Sequence, residues 1–330
     1  MKARGLVARQ SQSSLTAAVE NIEEIGSLGI GVEISWSALN YKDALALEPG
    51  NRVLRKSPLV LGVECAGTVV ASDSSALPLG TSVLLQGHGL GTEADGGFAT
   101  HITVPESWVT PLPASMSQRD AMILGMAAST AMASIEALER HGLDPKSGQI
   151  VVTGAAGGVG SLSTLLASTL GYEVVASTGR VQERDYLLSL GAKEVLDRDA
   201  INDANGRVLG RERWAGAIDC VGASTLASLL RSMRYGSAVA ASGLTGGAEL
   251  ETTVFPFITR GVSLLGIDVV KTSSPIRARW WRRIAELKPS AEILESMVQD
   301  SISLSEIPSA LAGFRSASVR GRILVEPQLD

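Results

Sequence analysis

The front of the chain is a succession of short segments in which apolar and polar residues take turns. In Gly31-Val32-Glu33-Ile34-Ser35-Trp36-Ser37 every second side chain is apolar. That is the pattern of a strand with one buried face, because successive side chains point to opposite sides of the pleat. Leu59 to Ala71, Ser82 to Gln86 and Ala99 to Val104 read as further strands, set apart by Gly, Pro and Ser. The character changes near residue 120: after Pro111 and Pro113, Ser117 and Asp120 make a helix-starting pair, and Asp120 to His141 reads as a long helix closed by Gly142. From Gln149 the rhythm is strand, helix, strand. Candidate strands are Gln149 to Thr153, Glu173 to Ser177, Glu194 to Leu196, Gly216 to Val221, Ser237 to Ser242 and Val262 to Val269. Helical stretches Gly158 to Leu170, Val181 to Leu190 and Ala223 to Met233 lie between several of them. This alternation predicts an α/β protein: a β-rich front, then a doubly wound parallel sheet covered by helices on both faces. The tail from Ile302 to Glu326 adds a short helix and a last strand, Arg322 to Glu326.

Length and charge narrow the functions. With 330 residues there is room for two or three domains. The net charge is −5, and the one basic cluster is Arg277 to Arg283, so phosphate-driven nucleic-acid binding is not expected. Cys65 and Cys220 cannot build a disulfide framework; they read as small buried hydrophobes, and with three histidines leave little for a metal site. No run of eighteen apolar residues is present and Met1 to Gln10 lacks a signal-peptide core, so no membrane association is expected and the default compartment is the cytoplasm.

The most informative segment is Ile150-Val151-Val152-Thr153-Gly154-Ala155-Ala156-Gly157-Gly158-Val159-Gly160. An apolar strand enters a turn with four glycines and leaves it as a helix. Glycines let the backbone approach a pyrophosphate, and the amides of a helix N-terminus face the anion. A site selective for NADH ends its second strand with an acid that accepts from the ribose hydroxyl. Here that strand ends Val174-Val175-Ala176-Ser177-Thr178-Gly179-Arg180, with no carboxylate. Arg180 can pair with a 2′-phosphate and Thr178 adds a hydroxyl, so NADPH is the expected cofactor.

These residues resemble a known family. The β-rich front, Gly62-Val63-Glu64-Cys65-Ala66-Gly67 and the glycine turn are similar to the medium-chain dehydrogenase/reductase superfamily, in its quinone-oxidoreductase-like branch. Trp36-Ser37-Ala38-Leu39-Asn40-Tyr41-Lys42-Asp43-Ala44-Leu45, Ser177 to Arg180, Arg213 to Asp219 and Val254 to Ile258 resemble the NADPH-dependent acrylyl-CoA reductase subfamily. The resemblance implies a GroES-like catalytic domain at 1–120 completed by 296–330, a Rossmann NADPH-binding domain at 121–295, and a homodimer paired through the sheet-edge strand in Gly261 to Val270. Zinc-dependent members carry a His where this chain has Val63 and a Cys where it has Asn40, so a zinc-independent enzyme is implied.

The same resemblance distributes the roles. Asn40 and Tyr41 fall at the cleft beside the nicotinamide as catalytic residues: Tyr41 can donate its phenolic proton or hydrogen-bond an enolate, and Asn40 can donate an amide N–H. Cofactor contacts carry over to Tyr41, Ala156, Gly157, Gly158, Val159, Thr178, Gly179, Arg180, Arg198, Leu244, Ile258 and Asp268. Arg198 could equally pair with Asp197 or Asp199, and Leu244 and Ile258 could be core. Arg277-Ala278-Arg279-Trp280-Trp281-Arg282-Arg283 offers guanidinium and indole groups to coenzyme A; its spacing also suits an amphipathic helix with Trp280, Ile284 and Leu287 inward and the arginines in water. The expected activity is reduction of the activated C=C bond of acrylyl-CoA to propionyl-CoA by NADPH, with an acyl-CoA substrate. The rivals are an NADPH:quinone oxidoreductase and a non-catalytic NADPH-binding regulator.

Overall fold

The computed structural model describes residues 3–10, 15–26, 29–48, 50, 52–202, 207–315 and 318–329. The chain divides into two compact units, one of residues 1–126 with 270–330 and the other of residues 127–269.

In the first unit a seven-stranded sheet carries the architecture. Its strands lie in the order Val298–Ile302, Arg322–Val325, Ile30–Ala38, Glu64–Ala71, Ser82–Gln86 and Val109–Pro111, with His101–Val104 also paired to Ile30–Ala38. The alternation read at Gly31 to Ser37 holds at its centre, where Val32 and Ile34 are buried and Glu33 exposed; register shifts on either side break it, leaving Trp36 half-buried and Ser37 fully buried. Glu64–Ala71 is central, paired on both sides, and its first four residues are all buried. Two strands that the sequence reading did not pick out, Ala3–Gln10 and Leu15–Ile22, pair antiparallel and join Leu59–Val60 in a separate three-stranded sheet. Leu6, Leu59, Leu61 and Phe98 pack there with Ile302, Leu304, Ile307, Leu311 and Ile323, so both ends of the sequence share one core.

Residues 270–295, expected with the second domain, fold with the first. The helix Ser274–Leu287 has Trp280, Trp281 and Ile284 buried and Leu287 half-buried, which is the amphipathic reading. Arg277 departs from it: only 1% exposed, it is inside rather than in water, with its Nη1 donating to His88 Nε2 at 2.9 Å. That imidazole stacks on Trp108 and is held below its ordinary pKa by burial and then by the guanidinium, which suits an acceptor nitrogen. With the indoles buried and Arg277 enclosed, the segment loses the stacking faces that a coenzyme A site on it would need.

The second unit is the doubly wound sheet. Six parallel strands lie in the order Glu194–Asp197, Val174–Thr178, Ile150–Thr153, Trp214–Asp219, Met233–Ala241 and Ser263–Gly266. Ile150–Thr153 is buried at every residue, as a central parallel strand must be, and the strand order reverses beside it, where open α/β sheets bind ligands. The expected strand at Val262 to Val269 is shorter, Ser263–Gly266, and forms the sheet edge. The helix expected over Asp120 to His141 runs from Gln118 to Arg140 and is broken at Gly125, where φ is 55° and ψ −160°. It is long and apolar enough to cross a membrane by composition, but 89% of its apolar window is buried inside the protein.

Candidate active site

In the second unit the turn after Ile150–Thr153 is shaped for close approach. Gly157 caps the helix Gly158–Thr169 without a side chain, so the first-turn amides are left for another acceptor. Gly157, Gly158 and Val159 are half-exposed while Ala156 is buried beneath them. A β-carbon on Gly160 would stand 2.3 Å from the Gly154 carbonyl oxygen and 2.6 Å from the Ala155 Cα, so only glycine lets the helix start this close to the turn. Beside it, Asp219 is fully buried and accepts from Thr153 Oγ1 at 2.6 Å and from the Gly222 amide at 2.8 Å. Burial raises its pKa, against these hydrogen bonds, and the network ties the loop after Trp214–Asp219 to the end of Ile150–Thr153.

The end of the second strand matches the cradle. Thr178 Oγ1 accepts from the Arg180 amide at 3.1 Å. Gly179 is exposed, and the Arg198 guanidinium lies over it, 2.8 Å from where a β-carbon would be. Among the described residues Arg198 forms no ion pair with Asp197 or Asp199; Asp197 instead accepts from the Asp199 amide at 2.9 Å. The structure therefore brings Ala156 to Val159, Thr178 to Arg180 and Arg198 to one end of the sheet. Leu244 and Ile258 are 48% and 72% exposed, which excludes the core reading, and Asp268 is exposed as well.

In the first unit Asn40 and Tyr41 open the helix Tyr41–Ala46. Asp43 accepts from the Asn40 amide at 2.8 Å, fixing the helix start. It is 1% exposed; burial pushes its carboxyl up to about 7, hydrogen bonds from the Asn40 and Val63 amides oppose this, Glu64 adds to it and Arg322 opposes it. Tyr41 is half-buried, and among the described residues its hydroxyl has no hydrogen-bond partner. Asn40 differs from expectation. Its Nδ2 donates to Glu64 Oε1 at 2.8 Å and to the Ala38 carbonyl at 3.2 Å, so both protons are engaged within the protein.

Behind Asn40 lies a buried polar network that reading along the chain did not single out. Glu64, fully buried, also accepts from Gln86 Nε2 at 2.9 Å, from Arg322 Nη2 at 2.6 Å and from the Met126 amide. Arg322 Nη1 donates to Asn40 Oδ1 at 3.2 Å, and Trp281 Nε1 holds Gln86 Oε1 at 3.1 Å. A signal was available: Glu64 and Arg322 are charges at the head of otherwise mostly apolar strands, where unpaired buried charges are costly.

These two assemblies define a class, a nicotinamide-dependent dehydrogenase/reductase with a β-rich unit and a Rossmann unit. The chain belongs to the medium-chain dehydrogenase/reductase superfamily, in its quinone-oxidoreductase-like branch. The alcohol dehydrogenase GroES-like domain matches residues 27–114 and the zinc-binding dehydrogenase family matches residues 158–286. The acrylyl-CoA reductase AcuI of Ruegeria pomeroyi is 43% identical over 324 residues, covering 97% of this chain and 98% of that protein. A Bacillus subtilis protein named "Putative quinone oxidoreductase YhfP" is 41% identical over 326 residues, covering 98% of each. The crystal structure of the yhdH oxidoreductase from Salmonella enterica in complex with NADP superposes with a TM-score of 0.93 at 41% identity, covering 98% of this chain and 100% of that one.

The zinc that the second family's description implies does not fit these residues. Among the described residues no three His, Cys, Asp or Glu side chains cluster as ligands. Val63 and Asn40 stand at the positions expected of ligands, and the Glu64 carboxylate is saturated by donors. Cys65 lies in the hydrophobic core, its thiol pushed far up by burial, and Cys220 is half-buried. A nicotinamide dinucleotide does fit, because the cradle at Gly157 to Val159 is open and Gly160, with no β-carbon, lets the helix start against the turn.

Proposed function

We propose that this protein is a cytoplasmic, zinc-independent NADPH-dependent reductase of the activated C=C bond of acrylyl-CoA, yielding propionyl-CoA, and that it works as a homodimer. What carries the cofactor choice is the end of Val174–Thr178, where Gly179, Arg180 and the Arg198 guanidinium stand in place of a carboxylate. The substrate class is supported by the 43% likeness to the Ruegeria pomeroyi acrylyl-CoA reductase. The edge strand Ser263–Gly266 supplies a surface for sheet-to-sheet pairing.

In this reading the amides of Gly158 and Val159 hold the pyrophosphate, Thr178, Arg180 and Arg198 hold the 2′-phosphate, and Leu244, Ile258 and Asp268 border the rest of the cofactor. NADPH, when bound, supplies a hydride to the carbon β to the thioester carbonyl. Negative charge then builds on the carbonyl oxygen, and the α carbon takes a proton. Tyr41 is the residue suited to that oxygen or to the proton, since its hydroxyl has no partner among the described residues.

The second reading, an NADPH:quinone oxidoreductase, is favoured by the 41% likeness to the Bacillus subtilis protein. Steady-state NADPH oxidation with acrylyl-CoA, crotonyl-CoA and a benzoquinone separates the two. The expected order by kcat/KM places acrylyl-CoA first. A benzoquinone in first place would replace the reductase reading, and tight NADPH binding with turnover of none would leave a non-catalytic regulator.

A further inference from the structure

We propose that Glu64 and Arg322 are positioning residues for the reductase reaction: together they fix the Asn40 carboxamide with both Nδ2 protons turned into the protein and only Oδ1 left to meet a ligand. This rests on the reading above that places the Asn40–Tyr41 turn beside the reacting groups.

A carboxamide has two ends of nearly the same shape and opposite hydrogen-bonding character. Asn40 lies between a carboxylate, which only accepts, and a guanidinium, which only donates. Its Nδ2 meets Glu64 Oε1 at 2.8 Å while Arg322 Nη1 reaches Oδ1 at 3.2 Å. Turning the amide over would set oxygen against carboxylate and N–H against guanidinium, two repulsive contacts in place of two bonds. The clamp itself cannot rotate away. Glu64 is held by donors from Asn40, Gln86, Arg322 and the Met126 amide, and Gln86 is held in turn by Trp281. Arg322 Nη2 also donates to the Met122 carbonyl at 3.3 Å.

The consequence concerns chemistry rather than shape. With the second Nδ2 proton on the Ala38 carbonyl, Asn40 has no donor left, and Oδ1, which faces Arg322 and the Asp43 amide of the first helical turn, can only accept. Toward a ligand it is an acceptor, suited to an amide N–H or a hydroxyl. A developing enolate oxygen is itself an acceptor, so its hydrogen bond falls to Tyr41, and Asn40 orients the partner that carries an N–H or O–H.

The test begins without substrate. In full-length protein labelled with ¹⁵N at asparagine, the Asn40 signal is identified by its loss in Asn40→Ala. Its two carboxamide protons are expected to exchange with water at least about tenfold more slowly than those of exposed Asn21. Fast exchange at Asn40 overturns the inference whatever the activity. Kinetics then follow with acrylyl-CoA. Arg322→Lys cannot reach both partners and should lower kcat about tenfold with KM for NADPH within about twofold, and Asn40→Ala/Arg322→Lys should fall no further than Asn40→Ala alone. Independent, multiplying losses would mean that Arg322 serves the fold alone and overturn the proposal. Glu64→Gln, of the same shape, provides the second variant and should show the same non-additivity with Asn40→Ala. A protected Asn40 amide in a protein that reduces neither enoyl thioesters nor quinones would bring down the reductase reading and this inference with it. Fast exchange in an active reductase brings down the inference alone.

Discussion

The Arg198 guanidinium lies so close over Gly179 that a β-carbon there would meet its Nη2 at 2.8 Å and its Cζ at 3.0 Å. Arg180 starts the next segment with its amide on Thr178 Oγ1. The Arg198 guanidinium thus covers a residue with no side chain, and in the proposed reading Arg180, one residue on, joins it on the 2′-phosphate. Arg180→Ala and Arg198→Ala should each weaken NADPH by about 10- to 100-fold, the loss of one charge-assisted contact, and NADH by much less. Fluorescence titration with both cofactors measures this. Equal losses for the two would remove the phosphate role.

Asp43 predicts a pH dependence of stability. Its carboxyl is pushed up to about 7 in the fold, above the ordinary value of 3.8, so the folded state holds the proton more tightly than the unfolded chain. The stabilisation is complete below about pH 4, is lost as pH rises through about 7, and is flat above that. Asp43→Asn keeps an oxygen for the Asn40 amide without the titration. Its Tm relative to wild type should therefore rise between pH 4.5 and pH 8, by an amount on the order of a few kcal/mol of stability. Calorimetric melting at several pH values checks this; a difference that shrinks toward pH 8 would refute it.

Gly125 is a position where the fold tolerates no side chain. Its φ of 55° with ψ of −160° suits glycine alone, and a β-carbon would stand 2.4 Å from Arg322 Nη2 and 2.7 Å from Glu64 Oε1. Gly125→Ala should cost about 3 kcal/mol or more, from backbone strain and from a disturbed buried ion pair. Urea unfolding reads the loss directly, and a change below about 1 kcal/mol would show the network to be slack.

Prolonged dialysis against a chelator should leave kcat unchanged, because the described residues offer no ligand set for zinc. Inactivation that added zinc reverses would contradict that fit.

Much of the second unit was legible along the chain because its signals are local. The glycine turn, the strand before it and the helix after it lie within about twenty residues, the span in which periodicity and turn chemistry operate. Most of its strands came within a few residues of their observed bounds. The first unit was read less well for a physical reason. Ala3–Gln10 buries four residues in a row, Leu6 and Ala8 among them, so it shows no one-sided alternation, and its pairing with Leu59–Val60 is set by tertiary contact. Arg277 precedes the buried Trp280, Trp281 and Ile284 by three, four and seven residues, so spacing puts it on the inward face; only its charge assigns it to water, and the His88 ring nitrogen gives it a partner inside. Resemblance placed Asn40 and Tyr41 among the site residues, but Asn40's hydrogen-bond polarity depends on Arg322. No pattern within a single strand reports a partner so remote.

Glu64 and Arg322 are 258 positions apart. As the polypeptide leaves the ribosome, that carboxylate has no counter-ion until almost everything else has been made, and burying it earlier would be severely unfavourable. The half of the molecule synthesised first must therefore wait to be finished last, while the nucleotide-binding half, contiguous in sequence, is free to mature in the meantime.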